Sequence, residues 1–197
     1  MGYAFPLGFK FKISTIANDF VATDNNGSVI AYVRQKMFKL VDHIQVFTDE
    51  SKSQVKYDIR ANKWLDFSAT YTFTDQMNNA IGRVARKGWK STWKAHYEIF
   101  DTNDNHEYTI QEVNPWVRVM DSFTSEIPVV SLFTGYMFHP KYRILDNKGS
   151  EVALLKKESS FFGRKFSVDK LQDLADGDQE RILLSLMMMI LLERRRG

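Results

Sequence analysis

The stretch ILLSLMMMILL, residues 182–192, constrains this chain more than any other. Ten of its 11 positions are large and apolar, and Ser185 is the exception. A helix built from it has no polar face, so it must be surrounded by lipid or by protein. Length separates the two cases. Eleven residues make about 16 Å of helix, against a hydrocarbon layer about 30 Å thick. Glu180 and Arg181 precede the run and Glu193 to Arg196 follow it. The expectation is a helix over about residues 176–196 that lies inside a protein core. Asp176 and Gln179 have capping-box spacing at its start. Asp178 and Glu180 stand where a helix dipole favours acids, and Arg194 to Arg196 where it favours bases.

The remainder reads as β-structure. SATYTFTD and HEYTIQEV alternate and are rich in Thr, Tyr, Phe, Val and Ile. Clusters of Asn, Asp and Gly, such as TDNNGS and LDNKGS, punctuate them at hairpin-like intervals. The segments also repeat. FVATDNNGSVIAYVRQK from Phe20, YTFTDQMNNAIGRVARK from Tyr71 and YRILDNKGSEVALLKKE from Tyr142 align without gaps. In each, an aromatic residue stands four positions before an Asp: Phe20 and Asp24, Tyr71 and Asp75, Tyr142 and Asp146. Apolar residues recur at Ile30, Ile81 and Val152, and at Val33, Val84 and Leu155. The first two copies stay in step through Tyr57 and Tyr108, Ile59 and Ile110, and Trp64 and Trp116.

Such a unit is a strand, a turn whose Asp bonds its own backbone, a returning strand and a second hairpin. Three units supply about twelve strands. A sheet of that size must manage its edges, and closure removes them. A barrel of eleven or twelve strands has an interior that suits one helix about 10 Å across. The expected fold is therefore mainly β: a closed antiparallel barrel of about twelve strands enclosing the C-terminal hydrophobic helix. One domain covers residues 1–197, with an insert at 117–141 between the second and third units.

This triplicated aromatic-x-x-x-Asp unit followed by a hydrophobic helix resembles the tubby C-terminal-like superfamily. Within it the chain looks closest to LURP-one-related proteins and their bacterial relatives, with phospholipid scramblases more distant. FGRKFSVDKLQDL before the helix and ERRRG after it add to the likeness. The resemblance spans roughly residues 9–196. It implies the plugged barrel and no catalytic residues to carry over. Tubby proteins bind phosphoinositides through basic side chains on the barrel wall, but those positions do not map one to one onto this chain.

Composition narrows the function classes. The chain has no cysteine, which excludes thiolate metal sites and cysteine nucleophiles and fits a reducing compartment. A formal charge of +3 is too small to argue for nucleic acid. MGYAFPLGFKFKIS lacks the features of a secretory leader, so a cytoplasmic location is expected, with peripheral attachment at a membrane. No G-x-S-x-G, phosphate-loop or dinucleotide glycine pattern occurs, and no cofactor is implied.

The candidate site is a lipid contact. RVARKGWKSTWK carries Arg83, Arg86, Lys87, Lys90 and Lys94 with no acid, interleaved with Trp89 and Trp93. Bases attract anionic headgroups, and the amphipathic Trp ring suits an interface. The bland alternative is a solvated hairpin whose Trp rings pack on the barrel. DTNDNHEYTIQE, Asp101 to Glu112, spaces oxygen side chains like a calcium loop but has His106 where the turn needs Gly. Asp169, Asp173, Asp176 and Asp178, before the helix, read as turn and helix-start acids rather than calcium ligands. His43, His96, His106 and His139 share no ligand spacing, so no metal site is assigned. The reading is a non-enzymatic binding module for anionic phospholipid or a protein partner. The alternatives are an enzyme or small-ligand carrier with a pocket at a barrel mouth, and a regulatory protein with a releasable C-terminal helix.

Overall fold

The computed structural model describes residues 3–12, 18–35, 43–62, 69–87, 96–113, 140–159 and 165–194. Alternating apolar segments and Asp turns fold into strands β1 (Leu7–Phe11), β2 (Asp19–Thr23), β3 (Val29–Gln35), β4 (His43–Phe47), β5 (Val55–Ala61) and β6 (Thr70–Asp75). They continue as β7 (Ala80–Arg86), β8 (His96–Phe100), β9 (His106–Glu112), β10 (Lys141–Asp146), β11 (Glu151–Glu158) and β12 (Lys165–Lys170). One helix, α1 (Asp176–Arg194), ends the described chain. Each strand pairs antiparallel with its neighbours in sequence, and β1 pairs with β12 to close the barrel. The insert residues 117–139 lie outside the described residues, and Lys141 already belongs to β10.

The repeat is visible in the register. Phe20 faces Val33, Tyr71 faces Val84 and Tyr142 faces Leu155, one such pair in each first hairpin. All six side chains are buried. The first two units contribute β2–β5 and β6–β9. The third has only β10–β12, and β1 supplies its fourth strand. Leu7 lies opposite Val168 just as Tyr57 lies opposite Val46 and Tyr108 opposite Ile99. The N-terminal segment thus completes a unit begun at the other end of the sequence. No pattern match announces this, because LGFKF shares only alternation with its equivalents.

Four hairpin turns have one geometry, and a wider fifth, in which the Thr48 N–H donates to the Gln54 carbonyl, shares part of it. The Oδ1 atoms of Asp24, Asp75, Asp101 and Asp146 each accept two backbone N–H groups, from the residues two and four positions on. Asp49 Oδ1 accepts the Ser51 N–H, the first of these two bonds. The third residue after each Asp has positive φ: Gly27, Lys52, Asn78, Asp104 and Gly149. Gly and Asn supply that conformation at small cost, and they hold the position in three of the five turns, with Lys52 and Asp104 adopting it in the other two.

Hydrogen bonds from Asn79 to Asp75, from Asn105 to Asp101 and from Ser51 to Asp49 hold these three carboxyls below the ordinary aspartate range. A carboxyl held low in the fold adds stability that is fully present above the unfolded value, about 3.9 for Asp, and is lost as pH falls through the lower folded value. The melting temperature is therefore expected to drop as pH falls below about 4. Asn79→Ala combined with Asn105→Ala should make that acid dependence shallower. An unchanged acid slope in a thermal melt of the double variant would show that the turns do not cause it.

α1 fills the barrel. Every residue from Ile182 to Leu191 is buried, Ser185 included, and its hydroxyl donates to the Arg181 carbonyl of the preceding turn. The core cluster joins these residues to inward side chains of all twelve strands, among them Phe9, Phe20, Ile44, Ile59, Phe73 and Val168. The all-apolar run is explained by a protein surface on every side of it. The helix start differs in detail from the sequence expectation. The Ala175 carbonyl accepts the first N–H groups, from Asp178 and Gln179, so Asp176 is the first helical residue and not the cap. The Gln179 amide donates to the Leu174 carbonyl.

Candidate functional site

The direction in which each strand runs positions the described candidate residues. α1 enters beside the Asp turns, where its first two turns are fastened by a polar network. Arg181 donates from Nε and Nη2 to both carboxylate oxygens of Glu107, at 2.7 and 2.9 Å, and ion-pairs with Asp178 at 2.5 Å. Tyr108 donates its hydroxyl to Asp178 at 3.0 Å, and Tyr57 donates to Glu180. The two tyrosines occupy equivalent places in the first two units, so the repeat presents matched hydroxyls to matched helix acids. Burial raises the Glu180 carboxyl above the usual range, with Lys56 and Arg181 opposing the shift. Burial, then the bond to Asp178, raises the Tyr108 hydroxyl.

A pocket at this end is lined by Tyr3, Lys56, Tyr57 and Glu180 above Leu183, Leu184 and Met187. It has room for about one water molecule.

The predicted lipid stretch begins in the middle of β7 and runs toward the opposite end. β7 runs away from the Asp turns, and Arg86 is its last residue. Arg83 faces outward. Its guanidinium stacks 3.9 Å from the Phe100 ring centroid and pairs with Asp104 at 2.6 Å. Arg86 shares the inward parity of Gly82 and Val84, and its Nε and Nη2 are shielded from solvent. Lys87 pairs with Glu98 of β8 at 2.9 Å. Trp89, Lys90, Trp93 and Lys94 lie outside the described residues. The stretch has no acid of its own, but β8 and the turn after it supply acids to Lys87 and Arg83. Sequence reasoning missed this because the pairing depends on strand adjacency.

The calcium-like spacing at Asp101 is a hairpin. Asp101 commits Oδ1 to backbone N–H groups and Oδ2 to Asn105 Nδ2 at 2.8 Å. Glu112 is the last residue of β9, on the order of 20 Å along the strand from that turn. The two cannot share an ion. Asp169 pairs with Lys156 at 2.6 Å and Asp173 with Lys170 at 3.1 Å. Among the described residues, no group of three or more His or acidic side chains is placed to hold a metal ion. His43 and His96 open equivalent strands, β4 and β8, and each lies beside an acid: Asp58 for His43, and Glu98 at 3.9 Å for His96. His106 contacts Thr109 Oγ1 at 3.0 Å, and His139 lies outside the described residues.

Fold and site together define a class: a twelve-strand antiparallel barrel plugged by its own C-terminal helix. No described helix is long and apolar enough to cross a membrane. No family model, curated protein or solved structure matches the chain.

Proposed function

We propose that this chain is a non-enzymatic, cytoplasmic binding module of the tubby C-terminal-like, LURP-one-related kind, attaching peripherally to anionic membrane lipid. The observation that carries the reading is the Arg83–Lys94 stretch: five bases and two Trp residues in 12 positions, running from the middle of β7, where Arg83 pairs with Asp104, past the strand's end at Arg86. Each base near an anionic leaflet contributes about 1 kcal/mol, so five supply at most about 5 kcal/mol. The pairs Arg83–Asp104 and Lys87–Glu98 reduce that figure. Attachment is weak and reversible, and stable residence needs a second signal.

Such binding is electrostatic, because the Debye length falls from about 10 Å at 0.1 M salt to about 3 Å at 1 M. The protein is expected to sediment with acidic liposomes at low salt, much less at high salt, and hardly at all with neutral ones. Replacing Lys87, Lys90 and Lys94 by Glu should abolish sedimentation while melting stays cooperative. A triple variant that sediments like the parent removes the stretch from the contact, and absence of sedimentation by the parent removes the lipid reading.

A further inference from the structure

The first unit differs from the other two on its outer wall. Val21, Tyr32 and Phe47 alternate with the inward Phe20, Val33 and Val46, so they face outward from β2, β3 and β4. All three are nevertheless buried, in a cluster apart from the barrel core, with Val55 packed against it. The equivalent places hold Thr72, Arg83 and Phe100 in the second unit and Arg143, Leu154 and Asp169 in the third. Those six are half-buried or exposed.

The first unit also has the wider turn. It takes seven residues, 48–54, between β4 and β5, where the equivalent β8–β9 turn takes five, 101–105. The extra length folds back across the wall. Glu50 Oε2 meets Lys12 Nζ at 2.6 Å, and Lys12 follows β1, three strands from β4. The Lys52 ammonium stands 5.3 Å from the Tyr32 ring centroid. Beneath it the Tyr32 hydroxyl donates to the buried Asp19 carboxylate at 2.6 Å. The turn holds its own shape, since Asp49 Oδ1 accepts the Ser51 N–H at 2.7 Å and the Lys52 N–H donates to the Asp49 carbonyl at 3.3 Å. Gln54 donates to Gln76 at 3.0 Å where the turn rejoins the sheet. The Lys12 and Glu50 side chains keep 35% and 49% of their surface exposed, and a pair so open to water contributes little and is screened by salt.

We propose that residues 48–54 are a strap closed over Val21, Tyr32, Phe47 and Val55, with the Lys12–Glu50 pair as its catch, and that it lifts as a unit while the barrel stays folded. Lifting takes no strand out of the sheet, because the β4–β5 ladder runs only to Phe47 and Val55. Segments of this kind open locally at a cost below that of global unfolding. Closed, the strap hides an apolar face of the wall, and open, it presents that face. Nothing in this device depends on the lipid reading.

Tyr32 reports the state of the strap. Nitration is followed by peptide mass spectrometry, with the half-buried Tyr3 as internal reference. In the parent, Tyr32 should react slowly at about 0.1 M salt and faster at about 1 M. Lys12→Glu turns attraction into repulsion and should raise Tyr32 nitration and hydrogen exchange of the Thr48 and Lys52 amides roughly three- to tenfold, with melting still cooperative. Lys12→Glu combined with Glu50→Lys should return both rates to those of the parent. Tyr32 reactivity that ignores salt and Lys12→Glu alike overturns the catch, as does a swapped variant that stays reactive. Tyr32 exposure that arrives only with loss of the cooperative melt overturns the strap as a separate unit. Should Lys12→Glu fail to fold, the salt response of the parent decides alone.

Discussion

Removing residues 176–197, or replacing Leu186 by Asp, is expected to leave no soluble folded protein. Nine apolar side chains of α1, from Ile182 to Leu191, are buried, and Leu186 has no exposed surface. Full burial of such a side chain contributes roughly 1.5–3 kcal/mol. The set is thus worth about 15–25 kcal/mol, an upper figure because unfolded chains already bury some surface. Net domain stabilities are only about 5–15 kcal/mol. Truncation also exposes the inward faces of twelve strands to water and to one another. Leu186→Asp places a carboxyl where no partner exists, a cost of several kcal/mol whether it ionises or takes a proton. The check is the soluble fraction and a thermal melt of each variant. A truncated chain that is soluble, monomeric and cooperatively melting would refute the plug. It would also favour a releasable helix, which the present packing opposes.

Gly82→Ala is expected to be the most damaging glycine-to-alanine change among the described residues. Gly82 lies on β7 with φ +149°, a region that side chains rarely adopt. A Cβ there would meet the Phe100 carbonyl oxygen at 2.5 Å and Arg181 Cδ at 2.7 Å. The first contact is backbone of the paired strand and cannot yield without breaking the ladder. The second is the stem of the side chain that holds Glu107 and Asp178. Strain of roughly 1–3 kcal/mol adds to overpacking of roughly 1–3 kcal/mol. Gly149→Ala is the control. Its φ is +85°, but nothing lies within 4 Å of the added Cβ, so it should cost only about 1–2 kcal/mol. Urea denaturation of both variants checks the prediction, and equal midpoints would refute the close approach of helix and wall.

The contrast between these glycines shows what kind of information sequence carries. Gly149 is legible, because an Asp three residues before a Gly, between alternating segments, is a turn in any setting. The same chemistry made the repeat readable, and with it the strand count and the need for closure. The run at 182–192 completed the fold, since its uniform apolarity leaves one place for it in a β-protein. Gly82 is not legible. Its neighbours are Phe100 and Arg181, one from the next hairpin and one from a helix about a hundred residues away, and nothing in AIGRVAR announces either.

The candidate site divides in the same way. The bases and Trp residues of 83–94 were visible as a string, but their pairing with Asp104 and Glu98 was not. Tyr57 and Tyr108 were seen to be in register, and Asp178 and Glu180 were read only as dipole acids. Their bonds to one another required the helix to be threaded into the barrel. By itself the sequence determined the periodicity, the turns, the number of strands and the buried helix, because each follows from local conformational preference and from the need to bury apolar surface. Tertiary structure decided that β1 completes the third unit, that carboxylates of β8 and of the turn after it neutralise part of a basic stretch, and that the start of α1 is tied to tyrosines and a glutamate of the wall. Those depend on which strand lies beside which and which way each runs, and charge has no periodicity from which either could be read.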